Sequence, residues 1–456
     1  MIDRLKTQIS FLVMFFLLIA VGLFQSWSLS LAIFNLCLIS AIMALGVNIQ
    51  WGYAGLINIG VMGFVAVGGL AAVLVSQPPV LEAWSAGGYG IILSLFIVLI
   101  VVAIIFLIRR KIKKIVAKRI LIFLTIIIGL VLLNKFYDPA VSSIEAINPA
   151  KTGFLGGAGL PIIISWIVGG IFAAAIAWII GNVTLGLRSD YLAIATLGIS
   201  EIIIAILKHE DWLSRGVKNV TGLPRPVPYE VNLQGYEWFI NLISYINNNK
   251  LSKIINIDEK NELLRNLVIE SSGLFVKICY SGLLVSVLLI ILFFCNRALN
   301  SPWGRMMRSI RDNEEAANAM GKNIFKQHLQ VFILGSAVLG IAGAMLTTLN
   351  GQFTPGSYQP LRFTFLIWIM VIVGGSGNNL GSILGGFFIW FLWIEAEPMS
   401  IFAMQLLTSS LEESSLIKSH LMESAPHLRL FIMGLVLLIT LRFRPKGILP
   451  EKIRRI

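Results

Sequence analysis

"SPWGRMMRSIRDNEEAANAMGKN", Ser301 to Asn323, is a charged interruption in a chain otherwise written in apolar runs. Gly273 to Cys295 precedes it and Leu329 to Leu349 follows it, each close to the roughly 20 apolar residues that cross a hydrocarbon core about 30 Å thick. Two membrane spans joined by a short charged connector are therefore expected. Ser301-Pro302 opens a helix with a polar cap and a proline at its first position. Trp303, Met306, Met307 and Ile310 then fall on one stripe, with Arg305, Arg308 and Arg311 largely elsewhere, as suits a helix lying at the membrane surface. Asp312 is expected to cap a second helix over Asn313 to Met320, with Glu315 in the capping-box position. Gly321 provides a left-handed stop and Lys322 suits the negative end of the helix dipole. Such a helix is only about 12 Å long and cannot span a membrane. Ala316, Ala317 and Ala319 give it a close-approach surface that fits a partner's groove. Taken singly, Glu315 is only a cap and Gly321 only a terminator; together they describe a short helix-turn-helix held between spans.

The rest of the chain agrees. Of its 456 residues 57% are hydrophobic and 13% charged, against about 25% charged in a soluble domain. The fold expected is an all-α polytopic membrane protein with about 10–12 transmembrane helices, glycine-interrupted segments and a single membrane domain over 1–456. Apolar runs place spans near 9–24, 29–49, 56–75, 90–108, 120–136, 160–180, 191–207, 273–295, 329–349, 361–373, 383–394 and 428–441. The runs at 361–373 and 383–394 are short and divided by "GGSGNNLG", so half-helices or one re-entrant unit are both open. The N-terminal run has the basic start of a signal peptide without a small-residue cleavage site, and reads as an uncleaved first span.

The net charge of +13 comes without an aromatic-and-basic platform, so membrane lipid and not nucleic acid is the expected neighbour. Its clusters, "RRKIKKIVAKR" (Arg109 to Arg119) and "RFRPKGILPEKIRRI" at the C-terminus, sit beside spans and mark the cytoplasmic side. Counting spans from Lys6 puts both clusters, both termini and the charged loop 296–328 inside, with the 208–272 loop and the 395–426 segment outside. Within 208–272 a candidate amphipathic helix lies near Asp258 to Leu267; the loop as a whole is either a solvated cap or a docking surface. Cys37, Cys279 and Cys295 and the four histidines share no metal-ligand spacing, and no cofactor is expected in this chain.

Two segments combine glycine with asparagine: "WGYAGLINIGVMGFVAVGG" (Trp51 to Gly69) and "VGGSGNNLGSILGG" (Val373 to Gly386). Small residues serve helix packing or a broken helix lining a cavity. The candidate translocation path is accordingly Gly52, Gly55, Asn58, Thr196, Glu201, Gly374 and Gly375. Glu201 stands ten residues into an apolar span, where an acid costs about 2.5–3.5 kcal/mol; it is either functional or snorkels towards Lys208.

Glu315-Ala316-Ala317 followed by Gly321 resembles the cytoplasmic coupling loop of ABC-importer permeases. More narrowly, "GVNIQWGYAGLINIGVMGFVAVGG", "LRSDYLAIATLGISEIIIAIL", "VIVGGSGNNLGSILGG" and "LRFRPKGIL" resemble segments of the branched-chain amino-acid permeases, in that family's order. The resemblance implies a permease subunit in a bacterial inner membrane. Glu315, Ala316, Ala317 and Gly321 would meet a cytoplasmic ATPase. The implied partners are a second permease, two ATPase subunits carrying the ATP and Mg, and a periplasmic substrate-binding protein. The spans flanking Arg109 to Arg119 look inserted relative to a compact member, and Thr221-Gly222-Leu223 departs from a Thr-Gly-Gly pattern. No GxxxxGK[ST] occurs, so ATP hydrolysis by this chain alone is not expected. The alternatives are a urea or short-chain amide permease, or a proton-coupled secondary transporter with Glu201 as its titrating group.

Overall fold

The computed structural model describes residues 2–148, 152–409 and 415–451. The last five residues of the basic tail, with 149–151 and 410–414 of the expected outer segments, lie outside the described residues. The architecture is the expected all-α one. Among the described residues, ten helical stretches are long and apolar enough to cross a membrane, with two shorter apolar helices, Val61–Ser76 and Pro360–Gly374.

In chain order the main helices are α1 (Ile2–Phe24), α2 (Trp27–Val47), α3 (Val61–Ser76), α4 (Leu81–Lys111), α5 (Ile115–Glu145), α6 (Ile162–Thr184) and α7 (Ser189–His209). They continue as α8 (Ile257–Asn300), α9 (Pro302–Asp312), α10 (Glu314–Ala319), α11 (Ile324–Asn350), α12 (Pro360–Gly374), α13 (Asn379–Leu407) and α14 (Leu428–Phe443). Three sequence expectations change. The span expected from residue 56 begins only at Val61, because residues 55–60 are irregular. The run expected at 383–394 belongs to a 29-residue helix, α13, whereas its neighbour α12, with 15 residues, is short. Finally, α8 has 44 residues, about 66 Å at 1.5 Å per residue. An apolarity window sees only its oily half; the expected amphipathic helix near Asp258 is its first turns.

The core is built where α3, α6 and α11 cross. A Cβ on Gly68 would sit 1.9 Å from the Gly340 carbonyl oxygen, and one on Gly340 would sit 2.3 Å from that of Gly169. Backbones approach this closely only through glycine, which is how helices gain packing in lipid without a hydrophobic driving force. Around the crossing α2 packs on α8, α11 and α13.

At one end of the bundle the 208–272 region is more than a solvated cap. Val227, Leu233, Phe239 and Ile243 form a small apolar cluster with Val268, Val276 and Tyr280 of α8. Two short strands, β1 (Val220–Thr221) and β2 (Gln352–Phe353), pair antiparallel and tie this region to the end of α11. The α4–α5 hairpin packs on itself and is scarcely covered by the rest of the chain, with 6% of each apolar window buried. Trp212 donates from its indole to Tyr137 at 2.9 Å, helping to tether the hairpin at its 145 end. Its peripheral position fits the inserted pair seen in the sequence.

Candidate functional site

The helix-turn-helix at 301–323 forms as its sequence requires, with one correction. Asn313, not Asp312, caps α10: its side chain accepts the Ala316 amide at 2.9 Å. Asp312 instead ends α9 and pairs with Arg311 at 3.0 Å. Either residue can cap, and α9 runs on by the residue that decides between them. Ser301 holds the cap position of α9, but its hydroxyl donates back to the Ala298 carbonyl at 2.6 Å. Met307 and Ile310 are buried and Trp303 is half-buried, as the apolar stripe predicts. Glu314 and Glu315 complement the dipole of α10 from its first turn.

Gly321 closes α10 at φ +76°, where its amide meets the Asn318 carbonyl at 2.9 Å and the Lys322 amide meets that of Ala317 at 3.2 Å. No neighbour lies within 4 Å of a Cβ placed there, so the demand for glycine is conformational. Gly321→Val is expected to destabilise this stop by about 1–2 kcal/mol, and Asn313→Ala to cost about 1 kcal/mol. Faster hydrogen exchange at 314–322, with the long helices unchanged, checks both. Glu315, Ala316 and Gly321 are exposed, as is Met320 at 81%. Ala317 is buried, so it seats α10 on the bundle while its neighbours face outward.

One side chain connects this element to the membrane domain. Arg311 donates to the Gly52 carbonyl oxygen at 2.5 Å and forms an ion pair with Glu451 at 2.9 Å. Gly52 ends a π-helical turn, Asn48–Gly52, that finishes α2 before the irregular stretch. The 444–451 segment in turn docks on the second glycine-rich stretch: the amides of Ile448 and Leu449 donate to Val373 and Gly374 at 2.8 and 3.0 Å. Gly375 turns there at φ +118°, and Asn378 caps α13 while its amide group donates to Leu449 and Pro450. Asn48 donates to Asn379 at 3.1 Å and accepts the Gly377 amide at 2.9 Å. Asn379 also donates to Asn296 of α8 at 2.8 Å. Both glycine-rich segments, α9 and the C-terminal segment therefore meet in one polar junction.

Of the seven residues expected along the path, four belong to this junction. Gly52, Gly374 and Gly375 are in close backbone contact there, and Gly55 turns at φ +72° against Arg311. Asn58 lies deeper: it donates to Gln50 at 2.9 Å, and Gln50 donates to Phe332 and Ser336 of α11. Thr196 of α7 accepts the Ile59 amide at 3.1 Å, holding the irregular stretch from the other side. Arg311, Glu451, Gln50 and Asn48 had no local signal in the sequence, because their partners lie up to 331 residues away.

Glu201 lines an open cavity. That cavity, about 1040 Å³, is bounded by α7, the first half of α12, α13 and the start of α14. Phe365 and Ile369 on its wall are shared with a second, apolar cavity of about 160 Å³ that reaches Ile57 and Ile59 of the irregular stretch. A groove thus follows α12 from a charged mouth to the broken segment. Arg362 and Arg429 lie 4.8 and 4.9 Å from the Trp393 ring centroid, and Arg429 forms an ion pair with Glu397.

The family described as "Branched-chain amino acid transport system / permease component" matches residues 141–441. The chain belongs to this family. The permease is 24% identical over 291 residues to the high-affinity branched-chain amino acid transport system permease protein LivM of Escherichia coli, covering 62% of this chain and 56% of that one. It is 25% identical over 173 residues to the probable branched-chain amino acid transport permease protein LivM of Methanocaldococcus jannaschii, covering 38% and 47%. A shorter match, 27% over 135 residues, joins it to the probable ABC transporter permease protein YphD of Escherichia coli, covering 29% and 39%. The alignments thus span about half the length of the LivM relatives. No solved structure matches the permease. The matched region begins as α5 ends, so the scarcely covered α4–α5 hairpin lies almost entirely before it.

Proposed function

We propose that the permease is the membrane-spanning subunit of an ATP-driven importer that carries branched-chain or related amino acids across a bacterial inner membrane. The observation that supports this best is the outward face of α10, exposed at Glu315 and Ala316 yet joined through α9 and Arg311 to the broken end of α2. Force applied to α10 reaches Gly52 and Glu451 through one guanidinium. An element with that geometry converts a partner's movement into movement of the glycine-rich segments. The α10 end and both termini face the cytoplasm in this reading.

Two ATPase subunits, holding ATP and Mg, would grip α9 and α10. A second permease would complete the groove along α12, and a periplasmic binding protein would deliver cargo at the 208–272 end. Glu315, Ala316 and Gly321 form the contact surface, with Ala317 as its seat. The mixed charges at the groove mouth favour a zwitterion over a neutral urea or amide.

Reconstitution with the partner subunits and binding protein tests the coupling role. Glu315→Arg and Gly321→Val are each expected to lower leucine uptake and binding-protein-stimulated ATP hydrolysis at least tenfold. Unchanged uptake and hydrolysis in both variants would remove α10 from the coupling path.

A further inference from the structure

We infer that the cavity at the mouth of the α12 groove is a binding site for a zwitterion with an apolar tail, in which Arg362 takes the carboxylate and Glu201 the ammonium. The inventory of charge carries this. Glu201, Lys208, Arg362, Glu397, His427 and Arg429 all line the cavity. Glu397 and Arg429 form an ion pair with each other, while Arg429 Nε has no hydrogen-bond partner. Among the described residues, Glu201, Arg362 and Lys208 have no side-chain hydrogen-bond or ion-pair partner; Glu201 and Arg362 carry opposite charges on facing elements, α7 and α12, while Lys208 lies further along α7 on the side of Glu201. Arg362 rests instead on the rings of Phe363 and Trp393, at 5.7 and 4.8 Å from their centroids. Stacking holds the guanidinium in place and leaves its fork of donors open, the arrangement suited to bidentate capture of a carboxylate.

Two opposite charges held apart across a cavity match the two ends of a dipolar ligand. A neutral amide would leave both unpaired and a simple cation or anion would leave one. The remaining wall is apolar: Leu361, Phe365, Leu366 and Ile369 of α12 face Leu430 and Met433 of α14. Binding sites of this kind combine an apolar surround with a few convergent polar groups in about 300–1,000 Å³, and this cavity is of that size. A ligand anchored by its charged end at Arg362 and Glu201 would direct its tail along Phe365 and Ile369 into the narrower apolar cavity. The identity of the zwitterion as cargo rests on the transport reading above. A phosphatidylethanolamine headgroup offers a related pair of charges and is the other source of such a ligand.

The test is saturation-transfer NMR on the full chain in nanodiscs of phosphatidylglycerol, with leucine, leucinamide (no carboxylate) and 4-methylpentanoate (no ammonium) as probes. Leucine is expected to give at least fivefold more signal than either analogue. Arg362→Gln and Glu201→Gln should each reduce it to the analogue level, and Arg362→Lys, which keeps the charge but loses the fork and the stacking, should lose more than half. Equal signals from the three probes, no leucine signal from the wild type, or a leucine signal untouched by both glutamine variants would overturn the site. Loss of the leucine signal only when phosphatidylethanolamine is added would assign the cavity to lipid and overturn its role for cargo. Leucine binding here combined with a reconstituted complex that imports no amino acid would count against the transport reading alone. Import that ignores both variants would count against this site alone.

Discussion

Arg311→Ala is expected to leave the permease folded and inserted, yet to cut ATP-driven uptake at least tenfold. Arg311 is three-quarters covered, with 23% of its side chain exposed, and it holds three groups at once: the Gly52 carbonyl, Glu451 and Asp312. Hydrogen bonds to charged groups contribute about 1.5–3 kcal/mol each. Asp312 is 67% exposed and its pair contributes little; Glu451 is only 17% exposed, so its lost partner matters more. Truncation frees α9 from the end of α2 and from the 444–451 segment together, while Met307 and Ile310 still seat α9 on the bundle. The predicted signature is therefore loss of transmission without loss of assembly. Glu451→Ala removes only one of the ties and should show a smaller loss. Uptake within twofold of wild type for Arg311→Ala, measured in proteoliposomes at equal complex content, would show that α9 acts by another route.

Gly340→Leu should abolish well-folded protein. The first atom of any side chain there would lie 2.3 Å from the Gly169 carbonyl oxygen and 2.5 Å from the Ala173 Cβ. Overpacking that side chains can absorb costs about 1–3 kcal/mol. Here the obstacle is backbone on a neighbouring helix, so α6 and α11 must separate along their length. Gly434→Leu is the matched control, since nothing lies within 4 Å of that position. A monodisperse size-exclusion peak for Gly434→Leu and its absence for Gly340→Leu is the expected result. Equal peaks would mean that the three-helix crossing is looser than drawn.

Much of the fold was legible because a bilayer allows few solutions, and apolar runs with caps declare them. The charged connector was legible for the same reason: its residues specify local structure, and local structure is what a sequence prints. The exception, Asn313 for Asp312, turned on a single residue of helix extension between adjacent caps. The glycine-rich segments were visible as breaks, but their use was not. Four glycines expected to border a path form the turns and contacts of the junction with α9. Glu201 was singled out because a charge in an apolar run is anomalous. Arg362 was not, since an arginine at the first turn of a span reads as an ordinary anchor; only folding puts Trp393 against it and Glu201 across from it. The full reach of α8 was hidden because its first half is polar and does not register as a span.

We propose that ATP hydrolysis by partner subunits drives this permease through α9 and α10. Leucine uptake into proteoliposomes containing the permease, its paired permease, the ATPase subunits and the binding protein measures it directly, with and without ATP and with and without a protonophore. The expected result is uptake that requires hydrolysable ATP and is unaffected by collapsing the proton gradient. Uptake by the permease without the ATPase, abolished by the protonophore and indifferent to ATP, would contradict it.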